Sequence, residues 1–380
     1  MIADAPERAL PSAPGRLATP GLPVLVTVAI TTLYTIATTR LGAGPPQRAQ
    51  FHWDGFWYAE IAQHGYRAFP GAGYKSAAFF PLLPALTHWA SLALPGVALS
   101  EVALAVTLLS IMVAMLLVDA LIGEWVWWQR AATIALLLAL PCAFFYSVFY
   151  AESLFLLAEA LTLLCLSRRE LTWLTPLGVT LGTLARPLGV LLLVPVVLVV
   201  ASRHDWSPRR RAVLVGASCA GVAILLVTYL VATGNPLAFL AARNQWPYFR
   251  SQGYLTALNR SVPRTVDLLT SSAALRPGSE PAIAAATWGL VAAVPLSLMA
   301  LRWRRPFGWY ALAMVGMIAA VGSIESQARM LLVVLPLWLA PIALYRHLRR
   351  TWILVGLLVP PGLTFNVYLA ARFASGKWAG

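Results

Sequence analysis

Long apolar segments separated by short polar connections make up most of this 380-residue chain. Segments of about 20 apolar residues are typical of helices that cross a bilayer. We therefore predict an all-α integral membrane protein with about eleven transmembrane helices. The predicted helices lie near 21–39, 101–121, 131–149, 152–167, 171–185, 187–202, 212–233, 281–301, 307–322, 327–345 and 351–371.

Charged residues are scarce, and most of them lie in the connections. They are 11% of the chain and hydrophobic residues are 59%, whereas soluble proteins carry roughly a quarter charged residues. The net charge of +14 could indicate a nucleic-acid partner. The arginines, however, cluster in very short connections, which is the positive-inside pattern of cytoplasmic loops, so nucleic acid is not expected as a partner. The clusters are Arg168 with Arg169, Arg203 with Arg209–Arg211, Arg302 with Arg304 and Arg305, and Arg346 with Arg349 and Arg350.

When these clusters are placed on the cytoplasmic side, the number of predicted spans between them assigns every other segment to one side of the membrane. Residues 1–20 are predicted to form a flexible cytoplasmic tail, followed by a single transmembrane domain over 21–380. Residues 40–100 and 234–280 become external loops that form the active-site face. A span at 80–96 would invert every later loop, and this segment contains three prolines. We therefore predict an amphipathic helix lying on the outer surface there.

The first external loop contains a short polar segment that is dense in aromatic rings, with Asp54 at its centre. A partly desolvated carboxylate at the membrane edge is suited to act as a general base. Neighbouring rings such as Trp53 and Trp57 suit the membrane interface and also stacking on a sugar. The alternative is that Asp54 only caps the short helix that follows it.

In this predicted topology, other charged groups lie on the same outer face as Asp54. Glu152 opens a helix, where the helix dipole favours an acid, so capping is the alternative to a catalytic role. Arg186 and Arg329 depart from the positive-inside trend, and both lie near helix starts, where amides and a guanidinium form an anion site. The alternatives are a snorkelling side chain for Arg186 and a pair with Glu325 for Arg329. We expect the two arginines together to bind a lipid phosphate.

The later external loop is polar, aromatic and basic, and it contains Gln245 and Trp246. It fits a lid that faces a sugar or headgroup and, equally, an ordinary amphipathic surface helix. The sequence has no glycine-rich phosphate loop and no paired-aspartate motif for a nucleotide–metal complex, so nucleotide-dependent chemistry is not expected. No metal site is predicted, although His52 and Glu60 near Asp54 leave room for a divalent cation.

At these residues the chain resembles a known family, the glycosylphosphatidylinositol mannosyltransferase II (PIG-V-like) family and its bacterial relatives. Each motif is short, but the ordered set extends from about residue 51 to 336 and covers most of the chain. The matching residues are His52-Trp53-Asp54 with Tyr58, Ile61-Ala62 and Gly65-Tyr66; Phe79-Phe80-Pro81 with Pro84; Ala151 to Phe155; Arg186-Pro187 with Gly189; Gly234-Asn235-Pro236 with Phe239, Gln245 and Trp246; and Ser326 with Arg329 and Pro336.

The resemblance implies a GT-C membrane glycosyltransferase. It implies a polyprenyl- or dolichyl-phosphate-linked mannose donor and transfer on the non-cytoplasmic face, with inversion at the sugar carbon. It also implies that an acid in the first external loop acts as the base. The arginine-, alanine- and leucine-rich composition is typical of a high-GC bacterium, so we expect the bacterial plasma membrane as the location. We also expect a lipid or glycan acceptor, which in such an organism need not be the eukaryotic one.

These observations give one hypothesis for the site. Asp54 deprotonates the acceptor hydroxyl, and Glu152 orients the acceptor or serves as a second base. Arg186 and Arg329 bind the donor phosphate as it leaves, and because they neutralise its charge a divalent cation is not required. The sugar and acceptor pocket is predicted to contain His52, Trp53, Trp57, Tyr58, Gln245 and Trp246.

A transporter or lipid flippase is the rival function. Its signature is charged groups near mid-membrane, interrupted helices and internal symmetry. Asp119 and Glu159 lie deep in apolar segments and favour this rival. The lack of a sequence repeat and the crowding of polar groups on one face favour the transferase. A non-catalytic lipid-binding subunit, with Asp54 only as a cap, is the third alternative.

Overall fold

The computed structural model describes residues 21–41, 49–66, 74–245, 281–320, 324–377 and 379. The predicted tail and the predicted loop beyond residue 245 lie outside this part of the chain. The described residues form helices and no strand, as predicted. The α-helices are α1 (Gly21–Arg40), α2 (Asp54–His64), α3 (Leu82–Ala93), α4 (Leu99–Leu121), α5 (Trp127–Ala139), α6 (Glu152–Ser167), α7 (Thr175–Ala185), α8 (Leu193–Ser202), α9 (Pro208–Ser218), α10 (Ala220–Thr233), α11 (Ala238–Gln245), α12 (Pro281–Trp303), α13 (Arg305–Ala320), α14 (Ile324–Leu332), α15 (Leu335–Tyr345) and α16 (Arg349–Ala374).

Among the described helices, four runs are long and apolar enough to cross a membrane: α1, α4, α9 continued by α10, and α16. The pair formed by α14 and α15, bent by 52°, is a fifth candidate. The protein is therefore an all-α integral membrane protein, as predicted. The number of about eleven spans stays a prediction, since helices such as α6 and α7 are shorter than the ~20 residues that a bilayer requires.

Helix α6 is buried on nearly every side, as expected for a helix enclosed by others. It packs against α4 and against α7, which runs antiparallel to it. On α7, a Cβ atom at Gly178 would lie 2.9 Å from the Thr162 amide nitrogen of α6. Gly182, one turn later, faces Ala158. These small residues let the two backbones approach closely. Since α7 ends directly before Arg186, the close approach carries Arg186 to the N-terminal end of α6.

The helix predicted over 131–149 ends early, at Ala139. Pro141 lacks the amide hydrogen that a helix requires, and it disfavours helical backbone in the residue before it. Cys142 then adopts a left-handed conformation with φ 71°. The chain continues as the 3₁₀ helix Ala143–Ser147 and reaches the start of α6.

The helix predicted over 327–345 is broken between α14 and α15. In a continuous helix, the ring of Pro336 would clash with the Leu332 carbonyl. The freed amide of Leu335 donates a hydrogen bond to Glu159 Oε1 at 3.0 Å. An acid is favoured at such a helix N-terminus, so the buried Glu159 stabilises the break.

The two deep acids that favour a transporter therefore have structural partners. Glu159 holds the start of α15, and Asp119 of α4 forms a buried ion pair with Arg130 of α5 through two guanidinium nitrogens. The contacts of both acids lie within the helix bundle. Both deep acids thus have partners inside the bundle, and the transporter alternative stays a hypothesis.

The segment predicted to lie on the outer surface forms α3. At 12 residues it is roughly 18 Å long, which is too short for a span. It packs against α2 and α4. The helix is confirmed, while its position relative to the membrane stays a prediction.

The contact between α6 and α7 can be tested with two identical glycine substitutions. Gly178→Ala should lower the free energy of unfolding by about 1–3 kcal/mol, because its Cβ has no room against the α6 backbone. Gly216→Ala in α9 meets no atom within 4 Å, so this control should unfold no earlier than wild type. Thermal unfolding in detergent measures both. Equal stability of the two variants would contradict the proposed close contact.

Candidate active site

The backbone around Asp54 is set by its two neighbours. Trp53 has a positive φ of 55°, which is uncommon for a residue other than glycine. At Gly55 a Cβ atom would lie 2.5 Å from the Gln50 carbonyl oxygen, so only glycine fits there. Trp53 occupies the N-cap position and α2 begins at Asp54. The alternative in which Asp54 caps this helix is therefore wrong.

Four charged side chains from different elements meet at this point. Arg329 of α14 donates from Nη1 to Asp54 Oδ2 at 2.8 Å. Its Nε lies 3.0 Å from Oε1 of Glu152, the first residue of α6. Arg186, which follows α7, donates from Nη1 to the same Oε1 at 2.9 Å. We call Asp54, Arg329, Glu152 and Arg186, in that order, the ion-pair chain; its formal charges cancel.

Exposure differs along the ion-pair chain. The exposed fraction of the side chain is 2% for Glu152, 7% for Arg329 and 10% for Arg186, but 31% for Asp54. Charges buried so deeply persist only when they are paired. Glu152 supplies the counter-charge for two guanidinium groups. Asp54 is the most exposed of the four side chains.

This arrangement decides the alternative for Arg186 and gives Arg329 two acid partners. Arg186 is buried and paired, so it does not snorkel to the membrane surface. Arg329 pairs with Asp54 and Glu152. The side chain of Glu325, its alternative partner, lies outside the described residues.

Tyr150 belongs to the site, although its role was not foreseen from the sequence. Its hydroxyl accepts a hydrogen bond from the Asp54 amide at 3.1 Å and donates one to the His52 carbonyl at 3.1 Å. The guanidinium carbon of Arg329 lies 5.0 Å from the Tyr150 ring and 5.2 Å from the Phe145 ring, which is cation–π distance. The only sequence signal for this role is the aromatic run that precedes α6.

Four of the predicted sugar-pocket residues surround Asp54 because they belong to α2 or directly precede it. The His52 ring contacts Phe373 edge-on, and Trp53 is about half exposed. The Trp57 ring stacks on Phe79 with a centroid distance of 5.5 Å. Tyr58 is buried, and this burial raises the pKa of its hydroxyl above the usual range. Sugar binding by these residues stays a prediction.

The structure describes only the first part of the later external loop. Gln245 Oε1, at the end of α11, accepts a hydrogen bond from the Tyr74 amide at 2.8 Å, so it joins this loop to the first one. Trp246 lies outside the described residues. In the described part of the chain, no three His, Cys, Asp or Glu side chains are grouped so that they could hold a metal ion.

The ion-pair chain predicts unequal costs for removing its two acids. Glu152→Gln leaves two buried guanidinium groups without their shared counter-charge and should destabilise the fold by about 3 kcal/mol or more. Asp54→Asn removes a more exposed charge and should cost about 1 kcal/mol or less. Chemical unfolding of the two purified variants measures the difference. Equal costs would show that Glu152 does not have this central position.

Comparisons with known proteins support the fold. The sequence matches no protein-family model and no curated protein. The apo oligosaccharyltransferase of Archaeoglobus fulgidus is similar in structure, with a TM-score of 0.50, 15% identity, and coverage of 94% of this chain and 56% of that one. Its complex with Zn and sulfate has a TM-score of 0.52, 15% identity, and coverage of 93% and 53%. The chain thus spans about half the length of these structures, and the likeness shows a GT-C-type fold, as predicted.

Proposed function

We propose that the protein is an inverting glycosyltransferase that takes its sugar from a lipid-linked donor. The observation that carries the proposal is the ion-pair chain, in which an accessible carboxylate adjoins two buried guanidinium groups. Transfer from a lipid phosphate requires a base for the acceptor and cations for the leaving phosphate. The fold shared with an archaeal oligosaccharyltransferase agrees with this function.

The PIG-V-like resemblance refines the proposal. The donor is a polyprenyl-phosphate-linked mannose or a similar hexose, and the acceptor is a lipid or glycan. Transfer takes place on the non-cytoplasmic face of a bacterial plasma membrane. The four residues of the ion-pair chain all lie within or beside the motifs that carry the resemblance.

In the proposed reaction, Asp54 accepts the proton of the acceptor hydroxyl as its oxygen bonds to the sugar C1 atom. The bond between C1 and the phosphate oxygen breaks on the opposite side, and its electron pair leaves with the polyprenyl phosphate. The configuration at C1 is therefore inverted. Arg329 and Arg186 stabilise the negative charge that develops on the leaving phosphate.

The contact between Arg329 and Asp54 links donor binding to the base. In the ion pair, Asp54 Oδ2 accepts a hydrogen bond from Arg329 Nη1. A donor phosphate accepts hydrogen bonds from the same nitrogen atoms. We propose that the phosphate replaces Asp54 at Arg329 Nη1, so that Asp54 Oδ2 is free to accept the proton of the acceptor hydroxyl when the donor is bound. Glu152 acts as a positioning residue that retains both arginines during this exchange.

The first test is loss of the base. Asp54→Asn should reduce the initial rate of sugar transfer by about 100-fold or more, because the acceptor proton then has no base to receive it. Glu101→Gln, which changes an exposed acid in the first turn of α4, is the matched control and should transfer at close to the wild-type rate. The assay uses purified protein in liposomes, radiolabelled polyprenyl-phosphate-mannose and a membrane lipid extract.

Two results would contradict different parts of the proposal. A folded Asp54→Asn variant that transfers sugar at the wild-type rate would exclude Asp54 as the base. A wild-type protein that consumes no polyprenyl-phosphate-linked hexose would reject the transferase function itself.

The second test concerns the exchange at Arg329. Asp54→Asn should bind polyprenyl phosphate more tightly than wild type, because the carboxylate no longer competes for Arg329. Arg186→Gln should bind it about tenfold more weakly, which corresponds to about 1.4 kcal/mol. Retention of radiolabelled polyprenyl phosphate on purified protein measures both, and uncharged polyprenol is the control ligand. Unchanged affinity in Asp54→Asn would contradict the exchange.

A further inference from the structure

A pocket of about 410 Å³ opens far from the candidate active site. It lies where the connection between α8 and α9 meets the start of α7. Helices α6 and α7 and the segment Pro187–Ser202 all have one end at the ion-pair chain and the other end near this pocket. The 16 residues of α6 alone account for roughly 24 Å. The lining residues are Thr172, Trp173, Pro176, Trp206, Ser207, Arg209, Arg210, Val213, Leu214 and Ala217.

One end of the pocket is suited to an anion. Arg209 and Arg210 lie in the first turn of α9, where the helix dipole also favours negative charge. The Arg210 guanidinium lies over the Trp206 ring at 4.1 Å from its centroid, which fixes its position. The nearby acid Asp205 is paired with Arg169 on the adjoining connection. Its charge is therefore balanced there.

Trp206 supplies a second, independent sign of a ligand. Its side chain is almost fully buried, with 4% exposure, and it lines the pocket. Its indole Nε1–H is buried and has no hydrogen-bond partner among the described residues. A buried indole N–H normally has an acceptor, and leaving it unpaired is costly. This nitrogen has almost no exposed surface, so an acceptor oxygen of a ligand in the pocket would satisfy it after a small rotation of the Trp206 ring.

The other end of the pocket is apolar and open. Pro176 and Leu214 line it, and Val213 and Trp173 are 62% and 70% exposed. Exposed tryptophan is typical of the boundary between the headgroups and the hydrocarbon of a bilayer. The pocket therefore joins a cationic, hydrogen-bonding end to an apolar wall. A ligand that fills both ends has an anionic head and a hydrocarbon tail.

We propose that this pocket binds the phosphate headgroup of an anionic membrane phospholipid. The arginines and the indole N–H contact the phosphate oxygens, and the acyl chains lie along the apolar side of α9. The positive-inside pattern assigns this end of the bundle to the cytoplasmic leaflet, opposite the proposed site of sugar transfer. The proposal is independent of the transferase function.

The test is native mass spectrometry of the full-length protein in detergent. The probes are phosphatidylglycerol, zwitterionic phosphatidylcholine, and glycerol 3-phosphate as a headgroup without chains. We expect phosphatidylglycerol to bind about tenfold more tightly than phosphatidylcholine, and glycerol 3-phosphate to bind about 100-fold more weakly than phosphatidylglycerol.

Three variants locate the site. Trp206→Phe keeps the ring and removes the N–H, and it should weaken phosphatidylglycerol binding several-fold. Arg209→Gln should weaken it about tenfold. Arg349→Gln changes an exposed arginine at the start of α16, outside the pocket, and should bind as wild type does. Unfolding temperatures without lipid verify that all three variants are folded.

Each contrary result overturns the proposal. Equal affinity for the two phospholipids would remove the anion selectivity. Wild-type affinity in both Trp206→Phe and Arg209→Gln, or an equal loss in Arg349→Gln, would place the lipid elsewhere. Glycerol 3-phosphate binding as tightly as phosphatidylglycerol would make the ligand a soluble phosphate.

Discussion

The Glu152 carboxylate is the counter-charge of two buried guanidinium groups, and the arrangement of three helices depends on it. Arg186 comes from the end of α7 and Arg329 from α14, while Glu152 begins α6. A buried charge without a partner is strongly unfavourable, so these helices have to converge at one oxygen atom. Asp54 extends this arrangement to the surface through Arg329.

Helix α6 fixes Arg329 in two ways. Glu152, at its first residue, contacts the Arg329 guanidinium directly. Glu159, two turns later, binds the amide at the start of α15 and so stabilises the break that follows the helix of Arg329. The other interruption, at Pro141, brings the aromatic segment with Tyr150 beside the same guanidinium. The two helix interruptions and the acids Glu152 and Glu159 together fix the position of the Arg329 guanidinium.

The sequence was sufficient to predict a helical membrane protein. It was also sufficient to single out the four residues of the ion-pair chain, because these charged residues depart from the surrounding apolar pattern. It could not show which acid pairs with which arginine, since this depends on how distant helices pack. It also could not show that Asp119 and Glu159, the two acids that favour the rival function, have partners inside the bundle. The partner of Glu159 is a backbone amide, which has no sequence signature, and it became available only when Pro336 broke the helix. The role of Tyr150 rests on backbone groups in the same way.

The exact cancellation of charge in the ion-pair chain has a consequence for the history of such a protein. A single mutation at Glu152, Arg186 or Arg329 leaves one charge unbalanced in a nearly dry interior. Balance returns only when an acid and an arginine change together. The positions are far apart in the gene, so two independent mutations are needed, and the first of them passes through a poorly stable protein. Related proteins are therefore expected to differ at these positions in acid–arginine pairs and not at one position alone.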